Sequence, residues 1–319
     1  VSDLRAPFPW FGGKSRVAPA VWAAFGDVPN YVEPFAGSLA VLLGRPHAPK
    51  TETVNDRDCY LANFWRALAA DPLEVARYAD APVNEAEVEA RHHWLVAQAD
   101  FRERMMHDPD YFDVKVAGWW VYGLCSWIGS GWCDWHHRGP GRAAKQLPHL
   151  GTAGRGVHRK LPHLGDAGRG HLTDYFAALA ARLRGVRVAC GDWSRVLGDS
   201  VTWRHGTTAI FLDPPYDDGA IDYAPGGRGV AADVAAWCRE NGANPLLRIA
   251  LCGYDGDHDL PGWRVHAWKA KGGFGSQRTD KDKPNANARR ERVWFSPACV
   301  DVAGPLFAGA AAAAAEVPR

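Results

Sequence analysis

Phe211-Leu-Asp-Pro-Pro-Tyr-Asp-Asp-Gly219 is the stretch on which the fold turns. Ala209 to Leu212 is a short, continuous apolar run and reads as a buried strand. The Pro-Pro pair that follows ends it, because proline has no N–H to give to a ladder. Asp213, Pro214, Pro215 and Tyr216 are therefore expected at the carboxyl end of a strand, stiff and facing a cleft. In open α/β sheets that rim is where ligands bind.

Working outward, strands and helices alternate on both sides. Tyr31 to Phe35, Thr51 to Asn55, Val186 to Cys190, Leu246 to Cys252 and Val293 to Phe295 read as strands. Residues 17 to 25, Leu39 to Gly44, Asp58 to Leu68 and Asp174 to Leu183 read as helices, the first capped by Ser15. This rhythm predicts an α/β fold with a parallel sheet. Residues 71 to 117 break it with a mostly helical pattern, and the interruption is far longer than a loop. The expected organisation is a discontinuous domain from 1–70 and 186–300, an insertion over 71–185, and a frayed alanine-rich tail at 308–319.

Bulk properties exclude some classes. No apolar run in the 319 residues reaches the roughly 18 to 20 needed for a membrane span. Val1-Ser-Asp-Leu-Arg-Ala-Pro7 lacks the apolar centre of a secretory signal. The seven cysteines are odd in number and scattered through core-like segments, so reduced thiols and a cytoplasmic setting are expected. A net charge of +1 gives no overall pull toward a polyanion, yet Arg138 to His171 holds seven Lys or Arg against one acid. Such a stripe either binds phosphates or is simply a solvated loop. Within it Leu147-Pro-His-Leu-Gly-Thr-Ala-Gly-Arg-Gly156 repeats almost unchanged at 161–170. Two copies do not make a solenoid. Cys125, Cys133, His136 and His137 are zinc-type ligands, but the gap between the cysteines exceeds the usual Cys-x2-4-Cys, and no metal is expected.

The first strand-to-helix bend, Glu33-Pro-Phe-Ala-Gly-Ser-Leu-Ala-Val41, is built from small residues where backbone must pass close to a ligand. It is not a dinucleotide fingerprint, because the glycine spacing fails and Leu39 stands where a glycine would help. Asp56 follows about 20 residues later at the end of the next strand, where an acid accepts from ribose hydroxyls or caps the following helix.

Four segments in this order resemble the Dam-type, D12 class of N6-adenine DNA methyltransferases. They are Pro9-Trp-Phe-Gly-Gly-Lys14, Glu33-Pro-Phe-Ala-Gly37, Asn55-Asp-Arg-Asp58 with Asn63-Phe-Trp-Arg66, and Asp213-Pro-Pro-Tyr216. The resemblance implies a Rossmann-like, S-adenosylmethionine-dependent methyltransferase sheet carrying a mainly helical target-recognition insertion. It implies that Trp10, Lys14, Glu33, Phe35, Gly37 and Asp56 contact S-adenosylmethionine, with Asp56 on the ribose and Asp213 near the methyl group. Asp192, in Cys190-Gly-Asp-Trp193, is a further candidate for the cofactor's adenine amine. The acceptor would be the exocyclic amine of a base flipped out of double-stranded DNA. That amine would be held by the Asp213 carboxylate and the Pro214 carbonyl, and Tyr216 would stack on the base.

The insertion is the expected reader of DNA. Trp119 to Trp135 lead into the basic stripe, in which Arg138, Arg142, Lys145, Arg155 and Arg169 are the candidate contacts with bases and phosphates. The tryptophans are either core or stacking platforms. A second basic loop is expected from Lys269 to Arg292. A cytosine N4 or RNA-base methyltransferase would need the same acceptor geometry. A catalytically inert DNA-binding protein is the alternative of another class, motivated by Leu39, and a protein-amide methyltransferase sits badly with the basic stripe. A monomer, with a cognate restriction endonuclease as a candidate partner, completes the expectation.

Overall fold

The computed structural model describes residues 4–8, 10, 13–81, 83–127, 131–133, 170–215, 229–268 and 290–301. Its strands are β1 (Asn30–Glu33), β2 (Thr51–Asp56), β3 (Val186–Cys190), β4 (Thr208–Leu212), β5 (Leu247–Tyr254), β6 (Arg264–Ala267) and β7 (Glu291–Phe295). Its helices are α1 (Ala18–Phe25), α2 (Ala40–Leu43), α3 (Cys59–Ala70), α4 (Pro72–Ala79), α5 (Glu85–Val96), α6 (Phe101–His107), α7 (Val114–Ser126), α8 (Gly170–Leu183) and α9 (Val230–Asn241). The sheet runs in the order β3-β2-β1-β4-β5-β7-β6. The mixed seven-stranded sheet with its helices is the α/β, Rossmann-like methyltransferase architecture expected from the sequence. Among the described residues no helix is long and apolar enough to cross a membrane.

The described residues fall into two units, 10–55 with 193–301 and 4–8 with 56–192. In the first, β1 pairs in parallel with β2 and β4, and β4 with β5. β4 is buried along its whole length, which is why Ala209-Ile-Phe-Leu212 reads as an unbroken apolar run. The chain leaves β1 toward β2 and returns to β4 on its other side, so the β1–β4 boundary is a topological switch point. β7 is antiparallel to both β5 and β6. Its first residue, Glu291, therefore lies level with Tyr254 at the end of β5, on the rim where the parallel strands finish.

Helix α1 departs from the expected start. Ser15 does not cap it; the N-cap position is Val17, without a side-chain bond. The Lys14 carbonyl accepts the first N–H groups, from Val17 at 3.1 Å and Ala18 at 3.0 Å, and Pro19 then fits the first turn, where no N–H is needed. The helix buries Val21, Trp22 and Phe25, and Trp22 donates its indole N–H to Val41 O at 2.7 Å.

The second unit is helical because its helix starts are chemically marked. Asp58, Asp71, Asn84 and Asp113 each occupy an N-cap position and accept a backbone N–H two or three residues on. The Asn63-to-Arg66 segment is scaffold here. Asn63 exchanges two bonds with the backbone of Asp113, and the Arg66 guanidinium donates to the carbonyls of Val188, Met105, Asp108 and Tyr111. Trp120 and Trp127 are core, 3% and 8% exposed, which decides for packing over stacking platforms at those two positions. Trp132 packs against Gly123, where a Cβ would fall 1.8 Å from the ring.

Candidate functional site

Two strand ends meet at the switch point in the first unit. β1 ends on Glu33 because Pro34 follows, so the strand stops two residues short of the expected Phe35. β4 ends on Leu212, with Asp213 next, then buried Pro214 and half-buried Pro215. Register pairs Val32 with Ile210, so these ends lie side by side.

Lys14 reaches this rim from the loop before α1. Its Nζ is 2.9 Å from Asp213 Oδ2 and 3.9 Å from Glu291 Oε2, and the side chain is almost wholly buried. Nζ also faces the Trp268 ring at 5.7 Å. Burial alone pulls a lysine pKa down, but the neighbouring carboxylates outweigh it and hold the ammonium above its ordinary value. Lys14 thus meets Asp213 as ammonium to carboxylate, and the acid is oriented by a partner that is itself fixed through its backbone.

Glu33 is different. It is 2% exposed, and its Oε2 accepts a bond from Tyr31 Oη at 2.9 Å. Burial, with Asp213 and Glu52 nearby, pushes its pKa well above the carboxylate range against the pull of Tyr31 and the Leu42 N–H, so the neutral form is favoured. Its carboxyl faces the core, not an open surface.

Beyond Glu33 the bend is tight. Gly37 has φ +46°, and a Cβ there would lie 2.7 Å from Trp10 Nε1, so the indole rests on bare backbone. Leu39 also takes a left-handed conformation, φ 54°, and its side chain is wholly buried. Phe35, half-buried, stacks on Trp193 with centroids 6.2 Å apart. Trp10, Lys14, Glu33, Phe35, Gly37 and Asp213 are therefore all within the first unit.

Asp56 and Asp192 are in the second unit and adjoin each other. Gly191 N donates to Asp56 O at 3.0 Å, placing the end of β2 beside the turn after β3. The Asp56 carboxylate accepts from Asp58 N at 2.9 Å, while the helix cap is Asp58 itself. Asp56 is half-buried and Asp192 exposed. Tyr216, Arg138, Arg142, Lys145, Arg155 and Arg169 lie outside the described residues, as do most of the basic segment 269–292 and the repeat. The segment's end is reassigned, since Glu291 and Arg292 belong to β7. All seven cysteines are free and buried, and the Cys125 thiol is on Pro7 O at 3.5 Å.

Three side chains at the rim were not singled out from the sequence: Glu291, Trp193 and Trp268. Glu291 has a legible signal in retrospect, because it precedes Val293 and Phe295 at period two and so puts an acid on a strand's apolar face.

A mixed seven-stranded α/β sheet with an acid-proline-proline rim at its switch point is consistent with a Rossmann-like methyltransferase fold. Over residues 10–108 the chain matches the family model of the D12 class N6 adenine-specific DNA methyltransferases, which bears out the resemblance. Trp10, Lys14, Glu33, Phe35, Gly37 and Asp56 fall inside that match, and Asp192 and Asp213 lie beyond it. Among curated proteins none matches the chain.

Proposed function

We propose that the protein transfers a methyl group from S-adenosylmethionine to the exocyclic N6 of an adenine flipped out of double-stranded DNA. One observation carries the reading: Asp213 stands at the sheet's switch point, gripped by buried Lys14 at 2.9 Å and followed by a buried proline.

The exocyclic amine of adenine is a weak nucleophile because its lone pair is delocalised into the ring. Asp213 would accept one of its N–H groups and the Pro214 carbonyl the other, favouring tetrahedral nitrogen as the new C–N bond forms. These acceptors are aimed at charge that develops in the transition state, which is where binding accelerates chemistry. An acid already paired with an ammonium is a better orienting acceptor than a base, so Asp213 acts mainly by positioning. Tyr216 would stack on the flipped base.

The residues suit the donor. When bound, S-adenosylmethionine supplies an electrophilic methyl on a sulfonium. Gly37 lets the Trp10 indole lie against its backbone, Trp10 and Phe35 offer aromatic faces, and Lys14 a cation. Asp56 keeps the role the resemblance gives it, on the ribose hydroxyls, and Asp192, just after β3, is the candidate for the adenine amine. The segment 71–185 is the target-recognition region, with Arg138, Arg142, Lys145, Arg155 and Arg169 on bases and phosphates. The protein works as a monomer in the cytoplasm, where buried reduced thiols are at home, and a cognate restriction endonuclease is its candidate partner.

Incubation of the purified protein with unmethylated duplex DNA and labelled donor, followed by digestion to nucleosides, tests the reading. N6-methyladenine is the expected product. N4-methylcytosine would move the activity to the other base with the same acceptor geometry, and absence of any labelled base would overturn it.

A further inference from the structure

Glu291 belongs to none of the motifs above, yet it is 7% exposed at the head of a strand whose inward neighbours are Val293 and Phe295. A carboxylate in that position is costly unless a charge compensates it. Lys14 is a compensating charge 3.9 Å away, and the same ammonium is 2.9 Å from Asp213. One cation therefore spans two carboxylates delivered by different strands, β4 and β7. Among the described residues, Glu33, whose environment favours the neutral form, and Cys252, whose thiol burial holds protonated, also act on this cluster.

An ammonium on a flexible four-carbon stem holds a single carboxylate only loosely. A second, buried carboxylate 3.9 Å from the same Nζ narrows that freedom, and it balances the cation so that less of Asp213's acceptor strength is drawn away. We propose that Glu291 is a positioning residue for methyl transfer, acting through Lys14 to hold the Asp213 carboxylate in the orientation that receives the substrate amine. The inference rests on the methyl-transfer reading of the site.

Steady-state transfer of labelled methyl to duplex DNA tests it in wild type, Glu291→Gln, Glu291→Asp, Lys14→Met and the Lys14→Met/Glu291→Gln double variant. Glu291→Gln keeps the shape and removes the charge. Its kcat is expected to fall about 10- to 100-fold, the scale of a slightly misplaced reacting group, with KM for DNA and for the donor essentially unchanged. In the Lys14→Met background, with no ammonium to place, the same substitution should change kcat less than about twofold. Where Lys14→Met leaves too little turnover to measure, Glu291→Asp decides, because restored charge should recover part of the lost kcat. Unchanged kcat in Glu291→Gln, equal losses in both backgrounds, or a Glu291→Asp variant no better than Glu291→Gln would overturn the inference. A wild type that methylates no base would instead remove the reading of the site itself.

Discussion

Lys14 Nζ and Asp213 Oδ2 are 2.9 Å apart at the carboxyl rim of the sheet, joining the loop before α1 to the turn after β4. The two residues are 199 positions apart in sequence, so the motifs that carry them look unrelated until the fold brings them together. Lys14 was expected to touch the cofactor, and its ammonium also pairs with Asp213, the acid proposed to hold the substrate amine.

Lys14→Met should therefore damage both stability and turnover. Removing one partner of a buried pair typically costs about 3–5 kcal/mol, and the partial exposure of Asp213 reduces this to about 2–3 kcal/mol. Urea unfolding of the variant measures it, and a loss below about 0.5 kcal/mol would show the pair to be as weak as a surface one.

Gly37→Ala should act on donor binding. The new methyl would sit 2.7 Å from Trp10 Nε1 on a backbone with φ +46°, so either the indole or the turn must move. Calorimetry with S-adenosylmethionine should give a Kd at least about tenfold weaker, roughly 1.4 kcal/mol. Unchanged affinity would place the donor elsewhere.

Leu39 offers a test of backbone strain. Glycine normally destabilises relative to alanine, because the unfolded chain gains freedom. At φ 54° the order should invert, since a left-handed residue with a Cβ costs about 1–2 kcal/mol. Leu39→Gly and Leu39→Ala both lose a buried side chain, but Leu39→Gly should unfold at the higher urea concentration. The opposite order would mean that the turn relaxes.

Glu33 predicts a pH dependence. Its folded pKa is raised well above the unfolded one, so the folded state binds more protons. Stability contributed at this site is present below the unfolded pKa, near 4.3, and is lost as pH climbs from there toward the folded value. Glu33→Gln keeps the Tyr31 bond and removes the titration. The urea midpoint of Glu33→Gln relative to wild type should thus rise between pH 4.5 and pH 8. A flat difference would mean that Glu33 ionises as freely in the fold as in the unfolded chain.

What could be read from the sequence was whatever local chemistry marks. The Pro214-Pro215 pair ends a strand by rule, so the rim residues after β4 were legible, whereas the first strand was read through Pro34 to Phe35 and the Asx caps of the helical unit passed unread. β6 was not, because Arg264-Val-His-Ala267 is short, half polar and at the sheet edge, where no apolar alternation is required. Helix α9 passed unread among alanines and glycines that carry little periodic signal. Ser15 looked like a cap by type, yet the Lys14 carbonyl and Pro19 already start the helix without it. Glu291 was hidden inside a basic segment, where charge suggested solvent. Only the antiparallel register with β5 brings it to the rim.

The central claim is that the acid after β4 receives the substrate amine. Asp213→Asn keeps the shape, exchanges a charged acceptor for an amide and leaves Lys14 facing a neutral group. Single-turnover transfer of labelled methyl from S-adenosylmethionine to duplex DNA should slow at least about 100-fold, the loss seen when a donor or acceptor aimed at the transition state is removed. Donor affinity measured alongside should change far less. Transfer at the wild-type rate would contradict the account.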